Sequence, residues 1–313
     1  MSMLLRLIVS IGIGAYLFSK LDISRSFEVI ARTDPVSVAI GLSLLVGLMV
    51  PATFRWQRVL RCVDAHFPFF LLLRMNLAAG FASQALPTSL AGDALRAHWL
   101  RRSNMPTADA VLAVGIDRLL AFICLWILVL GALPFAFGVL DISSAQMFAA
   151  ITKVLPAVFL IAGCSILTVG VCLWLKPMLL TRATRPVRRV VRQMARRPNL
   201  SGMIGYGIIV HCMRVLAVVV LARSMALDIA LPLYFVIVPI TLFLAMLPIS
   251  IGGWGVREAV FAAVFVRAGT SLEEAIALSV AFGLAWLAST LPGFFAINSS
   301  LQGAMVSSGG INE

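Results

Sequence analysis

Long apolar runs separated by short polar or basic stretches dominate the chain. Helices are predicted at about Leu4–Phe18, from Pro35 into FRWQRVLR, at Phe67–Leu86, at about Thr107–Phe137 and at about Met147–Leu175. Further helices are predicted at about Leu200–Met225, Leu231–Leu247, Val256–Val266 and Glu274–Ile297, the last broken near Pro292 and Gly293. Most of these runs are apolar on every face, which suits a membrane span rather than a surface helix of a soluble domain. Lys176–Pro198 departs from the pattern. Its arginines recur at steps of three and four, with Val187, Val190, Val191 and Met194 between them. That spacing predicts a basic amphipathic helix lying on an anionic leaflet.

One eleven-residue pattern occurs twice. Leu86–Arg96 reads LPTSLAGDALR and Leu247–Arg257 reads LPISIGGWGVR, and they align without a gap. Each places an apolar helix before Leu-Pro, a small-residue turn after it, and an Arg on the first turns of a new helix. Pro87, Gly92, Pro248, Gly252, Gly253 and Gly255 mark the breaks. The limb from Ala91 to Leu100 covers about 15 Å as a helix, against a hydrocarbon core of about 30 Å. It is too short to cross, so 67–102 is expected to be a re-entrant hairpin, and 231–267 a second one.

Composition narrows the class. Apolar residues make up 61% of the chain, charged residues 12%, and mean hydropathy is +1.03. An ordinary soluble domain is excluded. The 313 residues have room for roughly six to eight spans of about 20 residues. The expected organisation is a single membrane domain, 1–313. It comprises a first half of about 1–140, the basic linker 176–198, a second half of about 199–300, and a small polar tail, 301–313.

The net charge of +12 is mostly arginine, since only Lys20, Lys153 and Lys176 are lysines. Such an excess sets topology and binds anionic headgroups, so nucleic acid is not expected as a partner. Arg55–Arg61, Arg96–Arg102 and Arg182–Arg197 are expected on the cytoplasmic face, with both termini, and Arg267 on the outer face. Three full spans then lie between the two motifs, and an odd number inverts one copy relative to the other. The predicted fold class is an all-α polytopic inverted repeat with two re-entrant broken-helix hairpins and about six full spans, an architecture of many secondary transporters.

Charges within apolar helices mark candidate chemistry. Asp117 and Arg118 are adjacent, so their side chains diverge by about 100° and each needs a partner elsewhere. A ligand is one reading; a structural ion pair to Asp93 or Glu258 is the other. In the second half the corresponding helix carries Phe282 and Gly283 instead. Arg96 and Arg257 share a repeat position after small-residue breaks, where free helix N–H groups and a guanidinium suit a phosphate. Asp93 and Glu258 would orient these arginines or meet a cationic headgroup. Arg214 and His211 share one face of a helix. The expected substrate-binding set is Arg96, Arg118, Arg257, Asp93, Asp117, Glu258 and Arg214.

The scattered cysteines Cys62, Cys124, Cys164, Cys172 and Cys212 form no metal-ligand pattern, and no metal or other cofactor is expected. No nucleophile spacing is evident and an enzyme is not expected. No P-loop is present, so ATP would not drive the protein directly.

FRWQRVL (54–60), LPTSLAGDALR, the intrahelical Asp117–Arg118 pair, LPISIGGWGVRE and GTSLEEA (269–275) together resemble the flippase-like membrane domain of lysylphosphatidylglycerol synthases. The resemblance covers nearly the whole chain and is most specific at the second Leu-Pro motif. In fused members a soluble aminoacyl-transferase domain follows; here the sequence ends at Glu313, so a stand-alone member is expected. The resemblance implies movement of a phospholipid or lipid-linked substrate between leaflets of a bacterial inner membrane. Homo-oligomers or a separate lipid-modifying enzyme are the implied protein partners. Transport of a small polar or anionic solute, and an accessory role in envelope lipid or glycan assembly, are the alternative functions.

Overall fold

The computed structural model describes residues 33–85, 91–139, 200–246 and 254–298. The predicted helices at 4–18 and 147–175, the linker 176–198 and the tail lie outside them. So do both Leu-Pro breaks, with Pro87, Pro248, Gly252 and Gly253. Every regular element among the described residues is helical. In chain order they are α1 (Pro35–Gly47), α2 (Met49–Cys62), α3 (Phe69–Ala85), α4 (Ala91–Arg102) and α5 (Thr107–Val139). They continue with α6 (Leu200–Ser224), α7 (Leu231–Met246), α8 (Val256–Phe265), α9 (Leu272–Thr290) and α10 (Pro292–Asn298).

Local chemistry sets the boundaries. Asp34 caps α1, its carboxylate accepting from the Ser37 amide at 3.0 Å, with Pro35 in the first turn. The Ser37 N–H favours the ionised form and holds the Asp34 carboxyl below its ordinary value. The single predicted helix from Pro35 is two helices meeting at Leu48. Pro51 lacks the N–H that would reach the Gly47 carbonyl, and its ring crowds that oxygen. A capping box starts α9. The Glu274 amide donates to Ser271 Oγ at 3.2 Å, and the Ser271 amide to Glu274 Oε2 at 2.8 Å. Helices α2, α4 and α6 end on left-handed residues, Asp64, Asn104 and Ala226, with φ near 60°. At each end the following amide reaches back to a last-turn carbonyl: Ala65 to Leu60, Met105 to Leu100 and Leu227 to Ala222. The break predicted near Pro292 separates α9 from α10.

Among the described residues two large apolar cores form, beside a small cluster of Leu125, Val129 and Phe243. Trp56, Leu60, Leu72, Met75, Trp99, Leu100 and Ala113 join α2, α3, α4 and α5. Leu45, Val218, Leu221, Tyr234, Phe261, Phe265 and Phe282 join α1, α6, α7, α8 and α9. Helix α6 packs on α1, α2, α5 and α9 and so links the two groups. The short helices sit against the long ones, α4 on α3 and α5, and α8 on α7 and α9. Gly92 makes the α3–α4 contact possible, because a Cβ there would overlap the Ala79 carbonyl and Ser83 Oγ.

The exterior is unlike that of a soluble protein, and charges are buried among the apolar cores. Phe70, Phe295 and Phe135 are 76%, 70% and 68% exposed, while Asp117 is 2% exposed and Arg55 6%. Among the described residues four helical stretches are long and apolar enough to cross a bilayer: Pro35–Cys62 (α1 with α2), Thr107–Gly138, Leu200–Ser224 and Leu272–Ala296. An apolar exterior around a charged interior is stable with hydrocarbon as the solvent.

Candidate functional site: a buried chain of alternating charges

Five ionised side chains from three helices form an unbroken series. Arg55 on α2 donates through Nε to Asp117 Oδ1 at 2.8 Å. Arg96 on α4 donates through Nη1 to Asp117 Oδ2 at 3.0 Å, and through Nη2 to Asp93 Oδ1 at 2.8 Å. Arg118 on α5 donates through Nε to Asp93 Oδ2 at 2.5 Å. The order is Arg55, Asp117, Arg96, Asp93, Arg118. Each carboxylate bridges two guanidinium groups, so each of the four carboxylate oxygens accepts one guanidinium N–H.

The sequence places these groups without adjustment. Asp93 and Arg96 are three apart and meet on one face of α4. Asp117 and Arg118 diverge around α5, and each turns to a different partner, as their adjacency requires. A neutral shell extends the series: Arg96 Nη1 lies 3.4 Å from Asn76 Oδ1, Asn76 donates to Thr53 Oγ1 at 2.9 Å, and Thr53 to the Met49 carbonyl at 2.7 Å. The Trp56 ring lies 4.9 Å from the Arg96 guanidinium carbon. Yet the series is not fully satisfied. Arg55 Nη1 and Arg96 Nε are buried without an acceptor.

The second repeat position builds a separate, neutral group. Arg257 donates from Nη2 to Glu258 Oε1 at 2.8 Å and from Nε to Ser279 Oγ at 3.2 Å. Glu258 Oε2 accepts from the Gly255 amide at 2.6 Å, closing the start of α8. Gly255 has φ of 87°, a conformation that glycine adopts without strain. The guanidinium lies against Gly283 of α9, where a Cβ would occupy its place, and stacks on Trp254 at 4.5 Å. Both repeat arginines therefore reach the helix that follows their own: Arg96 reaches α5 and Arg257 reaches α9.

Arg214 belongs to neither group by hydrogen bonding. Its guanidinium sits 3.9 Å over the Trp286 ring, and its Nε is buried without an acceptor. One turn before it on α6, His211 Nε2 donates to the Ala121 carbonyl of α5 at 2.9 Å.

The structure thus brings Asp93, Arg96, Asp117 and Arg118 into one network, and Arg257 with Glu258 into another. Asp117 and Arg118 pair with Asp93, Arg55 and Arg96, not with Glu258. Arg55 was not named as a candidate site residue, yet it is buried in the network, while Arg58 is half-buried and Arg61 exposed. Helical rotation explains this: three residues return about 300°, so Arg55 and Arg61 point about 120° apart. Asn76, Thr53, Ser279 and Trp286 were also missed. Asn76 carried a signal, being a lone amide inside the apolar run of α3.

Among the described residues no group of His, Cys, Asp and Glu side chains is arranged to hold a metal ion. No curated protein matches the chain. A family match spans residues 3–293, under the description lysylphosphatidylglycerol synthase TM region. That span contains three of the four candidate membrane spans and all but the last three residues of the fourth, with both charged groups and both Leu-Pro motifs. This multi-pass membrane protein belongs to the family of the lysylphosphatidylglycerol synthase TM region.

Proposed function

We propose that the chain is a flippase-like transporter that moves a phospholipid or lipid-linked substrate between leaflets of a bacterial inner membrane, with no ATP of its own and no covalent chemistry. The observation that carries this reading is the charged series inside an apolar helical bundle, with guanidinium N–H groups left open. Ionised groups are costly in a membrane and persist where they meet a polar cargo or line its path. A headgroup passing through such a site exchanges water for guanidinium donors. Along α5, Leu128, Gly131 and Phe135 continue the face that carries Asp117, and with Leu231, Pro232 and Phe235 they line an apolar groove. Such an apolar groove suits an acyl chain of a lipid.

The inverted repeat and the re-entrant hairpins are part of this proposal. Short α4 and α8 each carry an arginine to the following long helix, and such paired half-helices supply substrate sites in transporters built from inverted repeats. Rocking of one half against the other would open the series to each leaflet in turn.

The test is flux in proteoliposomes, read by quenching of a headgroup-labelled phospholipid added to one leaflet. Arg96→Lys and Arg257→Lys keep charge and lose the planar fork. A desolvated charge-assisted hydrogen bond contributes roughly 1.5–3 kcal/mol, so either variant is expected to slow flux by about tenfold or more. Arg223→Lys, at an exposed pair with Asp228, is expected to match the unmodified rate. Absence of protein-dependent flux for any lipid, at full incorporation of folded protein, refutes the proposal.

A further inference from the structure

We infer that the uncompensated cations around Arg214 form an anion subsite, and that the headgroup handled here presents a phosphate with no cationic group beside it. This rests on the transport reading above and names the charge class of its substrate.

Charge is out of balance at this place. Among the described residues Arg55, Arg96 and Arg118 share two carboxylates, Asp93 and Asp117. The charged groups that act on Arg214 are Arg55 and Arg118, both cations. Its ring partner Trp286 fixes the guanidinium plane, but a ring face takes no N–H edge, so the donor fork stays open. Arg55 Nη1, Arg96 Nε and Arg214 Nε all lack acceptors, and they come from α2, α4 and α6. Water would satisfy such donors and leave the charge. An oxyanion does both.

The same inventory argues against a cationic headgroup. An ammonium would have to share its carboxylate, since each carboxylate oxygen in the network already accepts from a guanidinium. Glu258 is engaged by Arg257, Ser279 and the Gly255 amide. An incoming amine would meet guanidinium groups on several sides. A phosphate meets open forks whose geometry matches its oxygens.

The experiment uses the full chain, purified in neutral detergent, and reads the thermal unfolding midpoint against added ligand. The ligands are phosphatidylglycerol, phosphatidic acid, phosphatidylcholine, lysylphosphatidylglycerol and inorganic phosphate. A ligand that binds the folded state raises the midpoint in proportion to its affinity. Phosphatidylglycerol and phosphatidic acid are expected to raise it saturably; phosphatidylcholine and lysylphosphatidylglycerol are not. Without lipid, Arg214→Gln is expected to unfold at the same temperature or higher, since it removes an uncompensated charge. It should need at least tenfold more phosphatidylglycerol for the same shift. Arg214→Lys should respond weakly, and Arg223→Gln should respond as the unmodified chain does.

An equal shift with inorganic phosphate alone supports the subsite and assigns it to a free anion. Equal responses of Arg214→Gln and the unmodified chain overturn the inference, as does equal stabilisation by phosphatidylcholine. A marked loss of stability in lipid-free Arg214→Gln also overturns it, since the guanidinium would then be structural. Flux without charge selection would sink this inference and leave the transport reading standing. Selective, Arg214-dependent binding without flux would do the opposite.

Discussion

Asp117→Asn is the sharpest probe of the charged series. Asp117 is 2% exposed and accepts from Arg55 at 2.8 Å and Arg96 at 3.0 Å. Asparagine keeps one acceptor oxygen and turns an NH2 group toward a guanidinium. One charge-assisted bond is lost, at roughly 1.5–3 kcal/mol, and the remaining one becomes neutral on one side. Two buried cations are left with less compensation, and breaking a buried pair in this way costs about 3–5 kcal/mol. Against a typical stability of about 5–15 kcal/mol, that is a large fraction. At roughly 2 °C or more per kcal/mol, the unfolding midpoint in detergent should fall by about 6 °C or more. Arg55→Gln in the same background removes one stranded cation. The double variant should regain about 1–3 kcal/mol over the sum of the single changes, as coupled neighbours do. A fall of under about 2 °C for Asp117→Asn, or strict additivity in the double variant, would refute the account of Asp117 as the bridge.

Gly92→Ala should destabilise by at least about 1–3 kcal/mol, because its Cβ meets the Ala79 backbone, which cannot rotate away. Thermal unfolding beside the control Ala94→Gly in the same helix checks this, and a neutral result would mean α3 and α4 do not pack as described. Ala226→Gly should raise the midpoint by the equivalent of about 0.5–1 kcal/mol, since Ala226 holds φ of 59° at a helix end where glycine is unstrained. A lowered midpoint would contradict that geometry. For orientation, a cysteine at 270 should react with an impermeant thiol reagent applied outside, and one at 194 should not; the reverse pattern would end the inverted-repeat proposal.

The helix boundaries were legible because apolar runs, prolines and the GTSLEEA cap are local signals, and local chemistry decides where helices start and stop. The divergence of Asp117 and Arg118 was equally legible, being a property of helical rotation alone. Their partners were not. Which of Asp93 and Glu258 faces α5 depends on how α4 and α8 pack, and nothing in either helix's own sequence fixes that. Arg55 was overlooked as a network member because three arginines at steps of three read as one cluster. The rotation between them separates a buried member from an exposed one. Trp286 escaped notice because an aromatic residue in an apolar helix carries no sign of a stacked cation.

The alternating series also bears on how the chain is made. Arg55 rides on α2, Asp93 with Arg96 on α4, and Asp117 with Arg118 on α5; only the α4 pair meets within its own helix, so Arg55, Asp117 and Arg118 depend on neighbouring helices for their partners. Released alone into lipid from an insertion machinery, a central Asp or Arg costs about 2.5–3.5 kcal/mol on insertion scales, and α5 carries both. That penalty disappears only once α2, α4 and α5 are side by side. The early helices should therefore linger at the exit site and leave as a group, and a chain cut after α4 should be held back or degraded. The contacts that shape the mature interior thus double as a checkpoint on its birth.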